Sequence, residues 1–149
     1  MTKEIANIVT NAEVIAINQD RLGRAGNMIS RALDGSYEIW GKAIYSGNIR
    51  QNGDANNLSE LSPAPCHAVV FLNRLNTALN ITLDFDDLFN NNLNAKPPIP
   101  NWTVFIRDLW LQQDLGRFEN TWTAVNVPGH GVRMVTVSLN SANCSNKNG

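Results

Sequence analysis

The chain is poor in the residues that carry most enzyme chemistry. It has two cysteines and two histidines among 149 residues. Cys66 and Cys144 stand at no metal-ligand spacing, which excludes a cysteine metal site and leaves one disulfide between them as a candidate. Neither His67 nor His130 has a second histidine or cysteine at ligand spacing, so both read as structural or surface residues. The sequence contains no G-x-S-x-G nucleophile elbow and no glycine-rich phosphate loop, and no cofactor is expected. No apolar run approaches the roughly 20 residues of a membrane-spanning helix. Positive charge is never clustered: 12 Lys and Arg are dispersed singly against 13 Asp and Glu, for a net charge of −1. That balance argues against nucleic acid or an anionic membrane as partner. The opening Met1-Thr2-Lys3-Glu4 is polar and does not read as a secretory signal peptide.

What is present is a strand pattern on the scale of one ordinary domain. Ile5, Ile8 and Val9 fall at helical spacing with Thr2 as cap, predicting one short N-terminal helix over residues 2–11. Its single apolar stripe needs a surface to cover, and nothing nearby supplies one. Val14, Ile15 and Ile17 read as a short apolar link before a turn at residues 20–23. From Ala25 the period becomes strand-like. Residues 28–33 and 37–42 read as a hairpin about Asp34-Gly35. Residues 68–72 are continuously apolar, as in a central strand. Ile81, Leu83 and Phe85 alternate with Thr82, Asp84 and Asp86. Residues 103–110, 118–125 and 132–139 complete the set. The expected fold is all-β, an antiparallel sandwich of about seven or eight strands after one helix. Residues 46–65 and 90–100 read as loops, and 141–149 as a disordered tail.

Three residue classes deserve a functional test. Asp84, Asp86, Asp87, Asp108 and Asp114 are the carboxylates that could form a glycosidase pair, but strand-edge aspartates rarely have the enclosing cleft such a pair needs. Trp40, Trp102, Trp110 and Trp122 all fall in predicted strands, where a core or interface role outweighs sugar stacking. Trp102 and Trp110 are the weak substrate-binding candidates, and Trp102 is the one expected to be exposed. Four acceptor sequons, at Asn57, Asn80, Asn101 and Asn143, are candidate glycosylation sites and point to a secreted or lysosomal protein.

Several of these segments share an order with one family. Glu13-Val14-Ile15-Ala16-Ile17-Asn18-Gln19-Asp20-Arg21-Leu22-Gly23 closely resembles the block that joins catalytic barrel and sandwich in α-galactosidases. It is followed by Tyr37-Glu38-Ile39-Trp40, Ala68-Val69-Val70-Phe71-Leu72-Asn73-Arg74, Ile106-Arg107-Asp108-Leu109-Trp110, Asp114-Leu115-Gly116 and Val127-Pro128-Gly129-His130-Gly131-Val132. Arg21 and Ala43 stand where the family usually has proline, which removes backbone stiffness there. Both loops are longer than is usual in the family.

The resemblance implies three parts. Residues 1–23 correspond to the last helix of a (β/α)8 barrel and its linker, 24–140 to a C-terminal β-sandwich, and 141–149 to a tail. It places the catalytic aspartates on barrel strands upstream, so no catalytic residue carries over to this chain. His130 and Asp108 match positions read as structural. The implied role is a non-catalytic cap on the barrel of an enzyme that hydrolyses terminal α-galactosides with retention. The alternatives are a carbohydrate-binding module and a structural domain that forms homo-oligomers through the helix face.

Overall fold

The computed structural model describes residues 2–44, 66–89, 101–139 and Cys144. The expected loops at 46–65 and 90–100 and the rest of the expected tail lie outside the described residues. Among the described residues, eight antiparallel strands form two sheets. The larger has the order β1 (Asn27–Arg31), β2 (Tyr37–Ala43), β3 (Cys66–Asn73), β8 (Val132–Ser138), β5 (Thr103–Asp108) and β6 (Gln113–Glu119). The smaller pairs β4 (Leu79–Asp84) with β7 (Thr121–Val127). The expected sandwich is therefore the observed one.

Alternation decides which residues enter the core. Ile39, Val69, Phe71, Val104, Ile106, Val135 and Val137 fill it from the large sheet; Ile81, Leu83, Trp122, Ala124 and Val127 fill it from the small one. Phe71 and Trp122 meet edge to face across the layers, with ring centroids 5.4 Å apart. Burying an aliphatic or aromatic side chain of this size contributes roughly 1.5–3 kcal/mol. The Asp34-Gly35 hairpin turn also forms as expected. Gly35 takes a φ of 76° that suits glycine, and Asp34 accepts the Ser36 amide at 2.9 Å.

Four local expectations need correction. The N-terminal region holds two helices, α1 (Lys3–Val9) and α2 (Ala12–Asn18), and the apolar link of Val14, Ile15 and Ile17 is the second of them. Asn11 restarts the helix as N-cap, its Oδ1 accepting the amides of Glu13 and Val14. The stretch 118–125 is two strands in different sheets. Asn120, at a φ of 60° that asparagine tolerates better than most residues, turns the chain from β6 into β7. Residues 85–89 form a one-turn helix, α3 (Phe85–Phe89), whose Phe85, Leu88 and Phe89 join the core. Strand β5 stops at Asp108, so Trp110 stands in a turn.

Candidate functional site

The outer face of the large sheet is built by the residues that alternation turns away from the core. Met28, Trp40, Val70 and Met134 are direct cross-strand neighbours over β1, β2, β3 and β8. Glu38, Leu72 and Val132 form the next row. This face is apolar for a surface: Met28 is 38% exposed, Trp40 37% and Val132 41%. Trp40 is also fixed in place. Its indole Nε1 donates to Glu38 at 3.0 Å, and Glu38 accepts Arg74 at 2.7 Å. Hydrogen bonds from Trp40 first and Arg74 second hold the Glu38 carboxyl below the usual glutamate range.

Helix α2 lies over the same face. Its Ile17 packs with Ile44, Cys66, Ala68, Met134 and Cys144 in a second apolar cluster. Glu13 takes two hydrogen bonds from the Arg107 guanidinium, at 2.9 and 2.7 Å, and Arg107 also reaches Asp114 at 2.9 Å. The Glu13 contact, then that of Asp114, raises the Arg107 pKa further against the opposing effect of burial. Asn11, buried at 7% exposure, donates Nδ2 to the Leu109 carbonyl at 2.9 Å. These contacts seat the helix end on the β5–β8 side of the sheet. They leave Met28, Trp40 and Val132 half-exposed beside it. On α1 the stripe of Ile5, Ile8 and Val9 is about half-exposed as well.

The residues singled out in the sequence distribute unevenly around this face. Trp102 is buried at 7% exposure, against expectation. Its ring stacks on Phe89 at 4.7 Å and its Nε1 donates to Asp86, so it is core and offers no sugar platform. The exposed tryptophan is Trp40, and strand parity was the signal available: Ile39 points in, so Trp40 points out. Trp110 is half-buried in its turn, with its backbone amide on Asp108. Trp122 is core. Asn80 and Asn101 are exposed, while Asn57 and Asn143 lie outside the described residues. Cys66 and Cys144 are joined, with their Cα atoms 5.8 Å apart.

The carboxylates are occupied in ways that suit structure. Asp108 is fully buried beside Arg133, Asp114 holds Arg107, and Asp84 accepts the Asp86 amide at 2.9 Å. Burial, then the charges of Asp84 and Asp86, raises the Asp87 carboxyl pKa. His130 sits at a φ of 54° and its Nε2 meets Asn76 at 2.6 Å. Among the described residues no three His, Cys, Asp or Glu side chains gather as a metal site.

His67 is different. Burial pushes its pKa down to about 4, and its ring lies edge-on to Phe89 at 5.3 Å. A neutral native imidazole makes the folded state disfavour a proton that the unfolded chain takes up near pH 6.5. Stability is thus fully present above about pH 6.5 and falls as pH drops toward 4, by on the order of 3 kcal/mol. Urea unfolding from pH 7 to 4 should show this slope, and His67→Phe should remove most of it; an unaltered slope in the variant would assign the loss to other groups.

Residues 34–137 match the family described as alpha galactosidase C-terminal beta sandwich domain. The chain is similar to a probable alpha-galactosidase of Dictyostelium discoideum, 28% identical over 137 residues that cover 91% of this chain and 29% of that protein. It is also similar to alpha-galactosidase 2 of Arabidopsis thaliana, 25% identical over 142 residues covering 95% of this chain and 28% of that protein. Among solved structures, alpha-galactosidase I from Mortierella vinacea superposes with a TM-score of 0.70 at 30% identity, over 97% of this chain and 30% of that one. The chain thus spans less than a third of the length of each.

Proposed function

The chain belongs to the alpha galactosidase C-terminal beta sandwich domain family, and from that premise we propose that it is the non-catalytic sandwich of a larger α-galactosidase, docked on the catalytic barrel through the outer face of its six-stranded sheet. The observation that carries this reading is the half-exposed apolar patch of Met28, Trp40 and Val132, from two adjacent cross-strand rows, on the face that α2 covers in part. A helix running out of the barrel and ending on that face brings the barrel alongside it. An apolar patch flanked along β2 by Glu38 and Lys42, with Arg74 held on Glu38, suits a partner that removes it from water. Hydrolysis of terminal α-galactosides by the whole enzyme would then depend on barrel carboxylates, with this domain supplying an apolar flank and rigidity. The Cys66–Cys144 bond supports a secreted or lysosomal route for that enzyme.

Trp40 as a sugar platform is the weaker reading. Its cross-strand neighbours Met28 and Val70 are apolar and offer a pyranose no hydrogen bonds.

Trp40→Glu tests the docking. In the 149-residue chain the substitution should shift stability by about 1 kcal/mol or less, as at a half-exposed site. In the enzyme that carries barrel and sandwich together it should cost roughly 2–3 kcal/mol, because a carboxylate replaces buried apolar surface. An equal effect in both forms would place the barrel elsewhere. The unsubstituted 149-residue chain should give no turnover of an aryl α-galactoside; measurable turnover would refute the non-catalytic assignment.

A further inference from the structure

The outer face of the small sheet has the opposite chemistry. Asn80, Thr82 and Asp84 point outward from β4 and are exposed, while Ile81 and Leu83 enter the core. Thr82 meets Thr123 of β7 through their hydroxyls at 2.8 Å. Asn80-Ile81-Thr82 is also an N-x-T acceptor sequence. What the sequence cannot show is how the Asn80 amide is used. Its Oδ1 accepts the Asn126 amide at 2.8 Å, across the irregularity between Leu79 and Ile81. No hydrogen bond engages its Nδ2 among the described residues.

That division of labour suits one modification. An N-linked glycan bonds to Nδ2 and leaves the amide oxygen as an acceptor, so the Asn126 contact survives unchanged. We propose that Asn80 is an N-glycosylation site whose glycan covers the β4–β7 face. The donor is a polyprenyl-diphosphate-linked oligosaccharide. The bond between its anomeric carbon and the diphosphate breaks, a C–N bond forms to Nδ2, the lipid diphosphate leaves, and Nδ2 gives up one proton. Thr82 at the third sequon position is read by the transferase on the chain before folding, so its later pairing with Thr123 does not compete. The Cys66–Cys144 disulfide is an independent observation favouring the compartment in which this transfer occurs. The site lies on the face away from Met28, Trp40 and Val132, and it does not depend on docking there.

The test uses the 149-residue chain sent through the secretory route of a glycosylating yeast. Peptide-N-glycosidase in heavy-oxygen water should convert Asn80 to labelled Asp, with peptide mapping separating it from the exposed Asn101. Asn80→Asp should abolish that glycan and keep an oxygen acceptor for Asn126. Its stability should then stay within about 0.5 kcal/mol of the unglycosylated parent chain, as for a surface substitution. Thr82→Ala should also abolish the glycan. Unmodified Asn80 in the secreted, folded chain would overturn the proposal. So would a glycan at Asn80 found only in aggregated chain.

Discussion

Asp108→Ala is expected to destabilise the domain by about 3–5 kcal/mol, the range for removing one partner of a buried ion pair. The carboxylate is fully buried, with Oδ2 3.1 Å from Arg133 Nε; the pair is close enough for attraction but not aligned as a hydrogen bond. Its Oδ1 accepts the backbone amides of Trp110 and Leu111, each at 2.9 Å. Alanine would leave Arg133 without its counter-charge and two amides without acceptors. The Arg133 side chain is 33% exposed, so water recovers part of its loss and the lower half of the range is favoured. The turn shaped by Asp108 also presents the Leu109 carbonyl to Asn11, so α2 should loosen together with it. Urea unfolding gives the magnitude, and proteolysis between α2 and β1 reports the loosening. Asp108→Asn keeps an acceptor oxygen for the two amides and should cost less. A loss under 1 kcal/mol for the alanine variant would show that the buried carboxylate is dispensable.

Replacing Cys66 and Cys144 together by serine should cost a comparable amount. The bond closes a loop with a sequence separation of 78 residues, for which chain entropy predicts a destabilisation of about 4.5 kcal/mol on removal. Cys66 begins β3 opposite Ser138 of β8, and Cys144 and Ile17 of α2 both pack against the apolar cluster that Cys66 forms with Ile44 and Ala68. The bond therefore ties the C-terminal segment to the face that the N-terminal helix also covers. Loss should appear as a lower urea midpoint with a slope altered by a more expanded unfolded chain. An unchanged midpoint in the double variant, or in the parent chain under reductant, would show that the bond does not constrain folding.

Legibility in the sequence followed the strength of local periodicity. Strand β4 was plain because Ile81 and Leu83 alternate with Asn80, Thr82 and Asp84, and β3 because Ala68–Leu72 is an apolar run. Strand β6 was obscured: Gln113, Asp114, Gly116, Arg117 and Glu119 leave only Leu115 and Phe118 to mark a buried side. Its junction with β7 rests on one residue, Asn120, whose positive φ no hydrophobic pattern encodes. Helix α2 is hidden in the sequence because its cap, Asn11, also reads as the end of the preceding helix. The tryptophans divide the same way. Parity inside β2 assigns Trp40 to the surface, whereas Trp102 lies just outside β5, where parity says nothing, and α3 decides its burial.

The sequence alone determined the sandwich, the order of its family blocks and the scarcity of catalytic parts, because alternation and composition are local properties. Only the tertiary structure decided that Asn11 reaches Leu109, that Cys66 meets Cys144, and that Trp40 and α2 share one face. The first two contacts span 98 and 78 positions, and β1 lies between α2 and β2 along the chain. Separations of that size are closed by sheet order and packing of the whole core, which no short window of residues contains.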